Sequence, residues 1–240
     1  MFKPTSTYRI QFHKDFNFKS FKKIIPYLKN FGVDTIYASP IFEAVEGSMH
    51  GYDTINPHRI NPEIGTEAEL FEISKELTSL GISWLQDIVP NHMAFSPKNE
   101  WLMDVLKKGT KSMYSSFFDI NIQYDTKLMV PFLGDDLDQV IENTELKIVA
   151  VDNEYYLNYG DSNWPLKSSS NRKLKNKSLK EINKKQFIQE IANEQYYRLC
   201  NWKETDQAIN YRRFFTVNSL ICLSIQEEDN FNLYHQYILD

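Results

Sequence analysis

A chain of 240 residues that is 42% hydrophobic and 14% aromatic can bury a sizeable core. Its net charge of −5 and pI near 5.6 argue against nucleic acid as a main partner. Cys200 and Cys222 are the two cysteines, too few for a disulfide framework, so reduced thiols in a cytoplasmic protein are the simpler reading. Met1 to Lys14 is polar and lacks the apolar stretch of a signal peptide. No apolar run approaches the roughly 20 residues needed to span a bilayer, so no membrane partner is expected.

In chain order, residues 1–95 alternate strand and helix. Tyr8 to Phe12 reads as a strand with an aromatic lead. Ser20 is placed to cap a helix that carries Phe21, Ile24, Ile25 and Leu28 at helical spacing, and Gly32 closes it. Thr35 to Ala38 is a second strand. Thr66 with Glu69 forms a capping box ahead of an apolar stripe at Leu70, Ile73, Leu77 and Leu80. Gly81 ends that helix, and Ile82 to Leu85 leads a third strand. The β-α-β-α-β order requires parallel strands with helical crossovers. Periodicity by itself leaves a barrel and an open doubly wound sheet equally open.

Two loops follow strand ends. Ser39-Pro40 leads to Gly47 through Asp53, where Gly47 and Gly51 let the backbone fold tightly around His50. Tyr52 offers an aromatic face and Asp53 an acceptor, a pair suited to a sugar ring and its hydroxyls. The blander alternative is that Tyr52 packs into a neighbouring loop and Asp53 caps Thr54-Ile55. The second loop is Asp87-Ile88-Val89-Pro90-Asn91-His92, a carboxylate, a proline turn, an amide and an imidazole. In barrel enzymes such strand ends carry the chemistry. The same cluster is also ordinary turn chemistry.

After His92 the alternation stops. Trp101, Val105 and Leu106 suggest a short helix. Tyr114 to Tyr159 is β-like in short runs, among them Leu146 to Val151 and Tyr155 to Leu157. Lys167 to Lys185 is rich in Ser, Asn and Lys and reads as a solvated linker entering a polar helix. Phe187 to Trp202 is helical in pattern. Residues 96–240 are thus expected to form one insertion and helical excursion.

Ser6-Thr7-Tyr8-Arg9-Ile10-Gln11, Tyr37 to Ile41, His50 to Asp53 and Asp87 to His92 together resemble the α-amylase-type glycoside hydrolase clan. Tyr114 to Ile120, Val130 to Gly134 and Ile209-Asn210-Tyr211-Arg212-Arg213-Phe214-Phe215 are similar to the maltooligosyl trehalose synthase family within it. The Asp-x-x-x-Asn-His element is shared across the clan. After Phe215 the sequence departs from that pattern: Cys222 and Ser224 stand where a Gly and an Arg are expected. That departure bears on trehalose-forming specificity rather than on the clan.

The resemblance implies an α/β fold: the first three strands of a (β/α)8 TIM barrel with a mixed α+β insertion after the third strand. It implies an enzyme that turns the reducing-end α-1,4 bond of a maltooligosaccharide into an α,α-1,1 bond by intramolecular transglucosylation. Another clan hydrolase or glucanotransferase, or a non-catalytic remnant, are the alternatives. Tyr52 matches the aromatic platform at the transferred ring, His92 an imidazole contacting it, and Asp87 a carboxylate that holds strand ends. Gln11 and Asp53 are further polar contacts. Asn91 matches a position that binds calcium in some clan members; no metal and no cofactor is assigned here. Retaining chemistry needs two carboxyl groups about 5–5.5 Å apart. The clan's nucleophile lies in a Gly-x-Arg-x-Asp segment, and no Arg-x-Asp occurs in this sequence. The nucleophile and acid/base are therefore expected beyond residue 240, and the chain alone is expected to be inactive. Open barrel edges also imply self-association.

Overall fold

The computed structural model describes residues 4–121 and 127–239. Residues 122–126, within the stretch read as β-like, lie outside it, as do 1–3 and 240. The chain divides into two compact units, residues 1–94 with 225–240, and residues 95–224.

In the first unit β1 (Thr7–Ile10) leads to α1 (Phe18–Asn30) and β2 (Thr35–Ala38). The side chain capping α1 belongs to Asn17, which accepts from the Ser20 amide at 3.1 Å. Ser20 thus lies inside the helix rather than at its cap, because Asn17 holds the extended conformation a cap requires. The apolar stripe is as expected: Phe21, Ile25 and Leu28 are buried, with Phe18 added one turn earlier. A short antiparallel pair, β3 (Phe42–Ala44) and β4 (Thr54–Ile60), carries the first loop. Both arms of the Thr66–Glu69 capping box are made ahead of α2 (Glu67–Ser79), which buries Ile73 and Leu77. β5 (Ser83–Gln86) and the short β6 (His92–Ala94) follow.

β1, β2 and β5 form one parallel sheet in that order, with Ile10, Ala38 and Gln86 level at their C-terminal ends. The register puts Tyr8, Ile36 and Trp84 in one row and Arg9, Tyr37 and Leu85 in the next. Period-2 alternation sends these rows to opposite faces. The first face meets the helices through an aromatic nucleus. Phe12 sits edge-on to Phe18 and Phe21, 5.2 and 5.5 Å between ring centres, and stacks on Trp84 at 5.9 Å. Parallel sheets are ordinarily covered on both faces. Here Leu85 is 51% exposed on the second face. An open apolar groove of about 1150 Å³ runs between α2 and β5, lined by Leu70, Phe71 and Trp84 among others. The first unit is thus α/β, built on a three-stranded parallel sheet.

The second unit holds α3 (Glu100–Lys108), β7 (Leu128–Leu133) and α4 (Leu137–Glu142). An antiparallel meander follows: β8 (Leu146–Val151), β9 (Glu154–Tyr159) and β10 (Ser162–Pro165). Asp152 and Asn153 both take positive φ in the two-residue turn between β8 and β9, the conformation that matches the twist of a hairpin. Next come α5 (Ser168–Leu174), α6 (Leu179–Ile182), α7 (Lys185–Asn193), β11 (Tyr197–Asn201), α8 (Thr205–Ala208) and β12 (Leu220–Cys222).

Three expectations change here. Lys167 to Lys185 is not a solvated linker. Its α5 buries Ser170, Asn171 and Leu174. Asn171 accepts from the Tyr155 amide at 2.7 Å and donates to the Leu166 carbonyl at 3.0 Å, so polar composition serves internal bonding. The helix at Phe187 ends at Asn193, and β11 replaces its second half, pairing in parallel with β7. Tyr197, Leu199 and Cys200 are buried there, and pairing with β7 decided what periodicity left ambiguous. Finally, the second unit stops at Ser224 rather than running on to residue 240. The helix α9 (Glu228–Leu239) returns to the first unit, where the Tyr234 hydroxyl donates to the Val89 carbonyl at 2.8 Å and Tyr237 meets Phe42 edge-on.

Candidate functional site

The polar loops converge where the parallel strands end. The ladder runs one step past each strand: the Ser39 amide donates to the Ile10 carbonyl, and the Asp87 amide to the Ala38 carbonyl, both at 2.9 Å. Asp87 is thereby fixed beside Tyr52. The Tyr52 hydroxyl donates to Asp87 Oδ2 at 2.6 Å, and the Tyr37 hydroxyl donates to the same oxygen at 3.2 Å. Arg9 completes the cluster. Its Nη1 reaches Asp87 at 3.3 Å, and its Nη2 reaches the Tyr52 hydroxyl at 3.1 Å and Gln11 Oε1 at 3.2 Å. The guanidinium also lies 4.6 Å over the Tyr37 ring, within cation–π range. Burial and the Asp87 carboxylate hold the Tyr52 phenol above its ordinary range, so it stays a donor.

The first loop is tied to the same cluster. Gln11 Nε2 donates to the carbonyls of Met49 and His50 at 3.2 and 3.3 Å. Gly51 has φ +75°, and a Cβ there would stand 2.9 Å from the Pro40 carbonyl oxygen, so this tight approach requires glycine. The His50 ring stacks near Tyr52, 5.9 Å between centres, and is half exposed at the rim. Asp53 accepts from the Ser48 hydroxyl at 2.5 Å.

The sequence profile of the alpha-amylase catalytic domain matches residues 18–215. This chain belongs to the alpha-amylase catalytic-domain family. It is 33% identical over 238 residues to a putative maltooligosyl trehalose synthase of Mycobacterium tuberculosis, covering 96% of this chain and 28% of that protein. It is similar to a crystal structure of a maltooligosyl trehalose synthase at 39% identity and TM-score 0.87, covering 99% of this chain and 30% of that one. The maltooligosyltrehalose synthase of Arthrobacter ramosus matches at 31% identity and TM-score 0.83, with 98% and 29% covered. The chain therefore spans less than a third of the length of these amylase-family relatives.

Of the six residues singled out from sequence, Gln11, Tyr52, Asp87, Asn91 and His92 form one hydrogen-bonded set, with Asp53 beside it. His92 is 2% exposed, so in this state it supports Tyr52 from beneath rather than lining a surface. Its Nε2 lies 2.9 Å from the Tyr52 carbonyl oxygen and must carry the proton to bond it. Its Nδ1 lies 2.9 Å from the Asn91 side-chain carbonyl oxygen, Oδ1. Arg9 is the residue that sequence reasoning passed over. The signal was available: Arg9 and Gln11 share strand parity, so a cation beside a candidate contact had to face the same way.

Burial lowers the pKa of His92, against the pull of the Tyr52 carbonyl and the Asp53 charge. The unfolded imidazole protonates first, near 6.5. The stability this contributes is complete above about pH 6.5 and is lost as pH falls through the folded value. The urea midpoint should therefore drop more steeply below pH 6.5 in the parent chain than in a His92→Gln variant, which keeps a donor to Tyr52 but does not titrate. Identical acid limbs would remove His92 as the source.

Among the described residues no helix is long and apolar enough to cross a membrane. No group of three or more His, Cys, Asp or Glu side chains among them is arranged to hold a metal ion.

Proposed function

We propose that this chain supplies the substrate-binding half of an α-glucan-active enzyme. Its reaction converts the reducing-end α-1,4 bond of a maltooligosaccharide into an α,α-1,1 bond by intramolecular transglucosylation. In this reading β1, β2 and β5 are the first three staves of an eight-stranded barrel, and residues 95–224 are the insertion after the third. The observation that carries it is the Arg9–Tyr52–Asp87 cluster at the C-terminal strand ends, the side on which barrel enzymes do their chemistry. Tyr52 presents its face to the ring. Asp87 and Arg9 hold its hydroxyl, and His92 holds its backbone. Gln11 and Asp53 set the loop around it, and Asn91 lies against the second ring nitrogen of His92. Covalent glycosyl transfer also needs a nucleophile and an acid/base. The six arginines are followed two places on by Gln11, Asn61, Leu174, Cys200, Phe214 and Phe215, so the clan's Arg-x-Asp nucleophile segment is not in this sequence.

The expected result is binding without turnover. Maltopentaose incubated with the purified chain should remain intact by anion-exchange chromatography. A chimera in which this chain replaces the matched region of the Arthrobacter ramosus synthase should form trehalosyl sugar. Glucose and maltose from the chimera would favour another clan activity, and no product at all would favour a non-catalytic remnant. Sustained turnover by the chain alone, at about 1 s⁻¹ or more, would sink the reading. The same reading has the open edges of β1 and β5, the segment Thr5 to Phe12 above all, pairing with other chains. Sedimentation should show association that rises with concentration, and a monomer at every concentration would exclude it.

A further inference from the structure

The second unit contains a cavity whose chemistry the Tyr52 cluster does not use. It measures about 600 Å³ and is lined by Phe132, Trp202, Asp206, Arg213, Thr216 and Asn218 among others. That volume lies within the range of about 300–1,000 Å³ typical of small-ligand sites. Its position is set by the end of β11. The Asn201 side chain caps the short helical turn at Trp202 by accepting from the Lys203 amide at 3.0 Å. The Trp202 carbonyl is taken up by the Thr205 hydroxyl at 2.8 Å and the Asn218 amide at 3.4 Å. With its backbone held from both sides, the Trp202 ring stands 52% exposed at the cavity. Lys203 Nζ lies 5.7 Å from the ring centre, and the rest of this large aromatic is open on an anchored turn.

Polar groups share the lining with it. Arg213 Nη1 donates to Asn218 Oδ1 at 2.6 Å, with longer contacts of 3.4 Å to the Thr216 carbonyl and the Thr205 hydroxyl. These bonds hold the guanidinium in one place. Arg213 and Asp206 carry opposite charges around the same cavity, while the Arg213 contacts among the described residues are with Asn218, Thr216 and Thr205. This leaves a guanidinium and a carboxylate on the lining of one cavity. The combination discriminates among ligands. Asp206 disfavours an anion, and Arg213 disfavours a cation. A neutral polyol satisfies both, because one hydroxyl accepts from the guanidinium while its neighbour donates to the carboxylate. The apolar face of a pyranose ring suits the Trp202 indole.

We propose that this cavity is an oligosaccharide-binding site, with Trp202 as platform and Arg213 and Asp206 as the hydroxyl-reading pair. That its sugar is an α-glucan rests on the functional reading above. The experiment follows the four indole N–H resonances of the full chain during titration with maltoheptaose, Trp202 being assigned by loss of its signal in Trp202→Phe. The Trp202 signal should shift saturably. Asp206→Asn, at an exposed position that does not threaten the fold, should weaken the response at least fivefold. Tyr52→Ala should leave the Trp202 response intact, since Tyr52 does not line this cavity. The two readings therefore fail separately: loss of binding at Tyr52 alone removes the functional reading and spares this site. A Trp202 signal that maltoheptaose leaves unmoved overturns the site. So does one that sodium sulfate shifts equally, or one unaffected by Asp206→Asn.

Discussion

Replacing Phe12 with alanine should cost about 3–5 kcal/mol, the range for emptying a buried phenylalanine position. Phe12 is 2% exposed and is the ring on which Phe18, Phe21 and Trp84 all pack. Little else is positioned to fill the space, because α1 packs on the sheet through those same rings. A small domain is stable by about 5–15 kcal/mol, so the loss is a large share of the total. Urea unfolding followed by tryptophan fluorescence measures it, with Trp84 as a reporter inside the nucleus. The effect should extend to the site. Phe12 follows Gln11 directly, and its amide donates to the Ser39 hydroxyl at 2.8 Å, so the two strand ends are held in register through this residue. Phe12→Leu should recover most of the stability. A Phe12→Ala chain within about 1 kcal/mol of the parent would mean the aromatic nucleus is not what holds the sheet to its helices.

Asp87→Ala should be the most damaging change within the site itself. Asp87 Oδ2 is the common acceptor for Tyr52, Tyr37 and Arg9. Hydrogen bonds to a charged group contribute about 1.5–3 kcal/mol each. Deletions within one network do not add. The Arg9 pair is open to solvent and contributes little. The two phenols therefore dominate, and a loss of about 3 kcal/mol is expected in urea titration. Asp87→Asn keeps an acceptor in the same place without the charge and should lose about half as much. Maltopentaose affinity should fall in the same order, parent above Asn above Ala, because the Tyr52 ring loses the bond that fixes its plane. Calorimetric titration checks this. Equal affinities in parent and Asp87→Ala would show that the phenol anchor has no part in presenting Tyr52.

The parallel α/β order, the two crossover helices and the pair of polar strand-end loops are written locally, which is why the sequence sufficed for them. Thr66 and Glu69 lie three residues apart, and their reciprocal bonds need nothing beyond one helical turn. The α1 stripe reads directly because burial repeats at the helical period. Gly51 announces a close approach through its own backbone. What tertiary structure decided is everything that depends on a partner distant in sequence. Tyr197 to Asn201 is a strand because β7 lies beside it, with Tyr197 opposite Leu128, and nothing in the segment itself excludes a helix. Asn171 is buried because Tyr155 needs an acceptor. His92 lies beneath Tyr52 rather than at a surface because the Tyr52 carbonyl, 40 residues away, needs a donor. Arg9 became part of the site only when strand register placed it level with Tyr37 and within reach of Asp87. Residue type and spacing fix which groups are offered; long-range packing fixes which of them meet, because hydrogen bonds and burial act on distances that local periodicity does not encode.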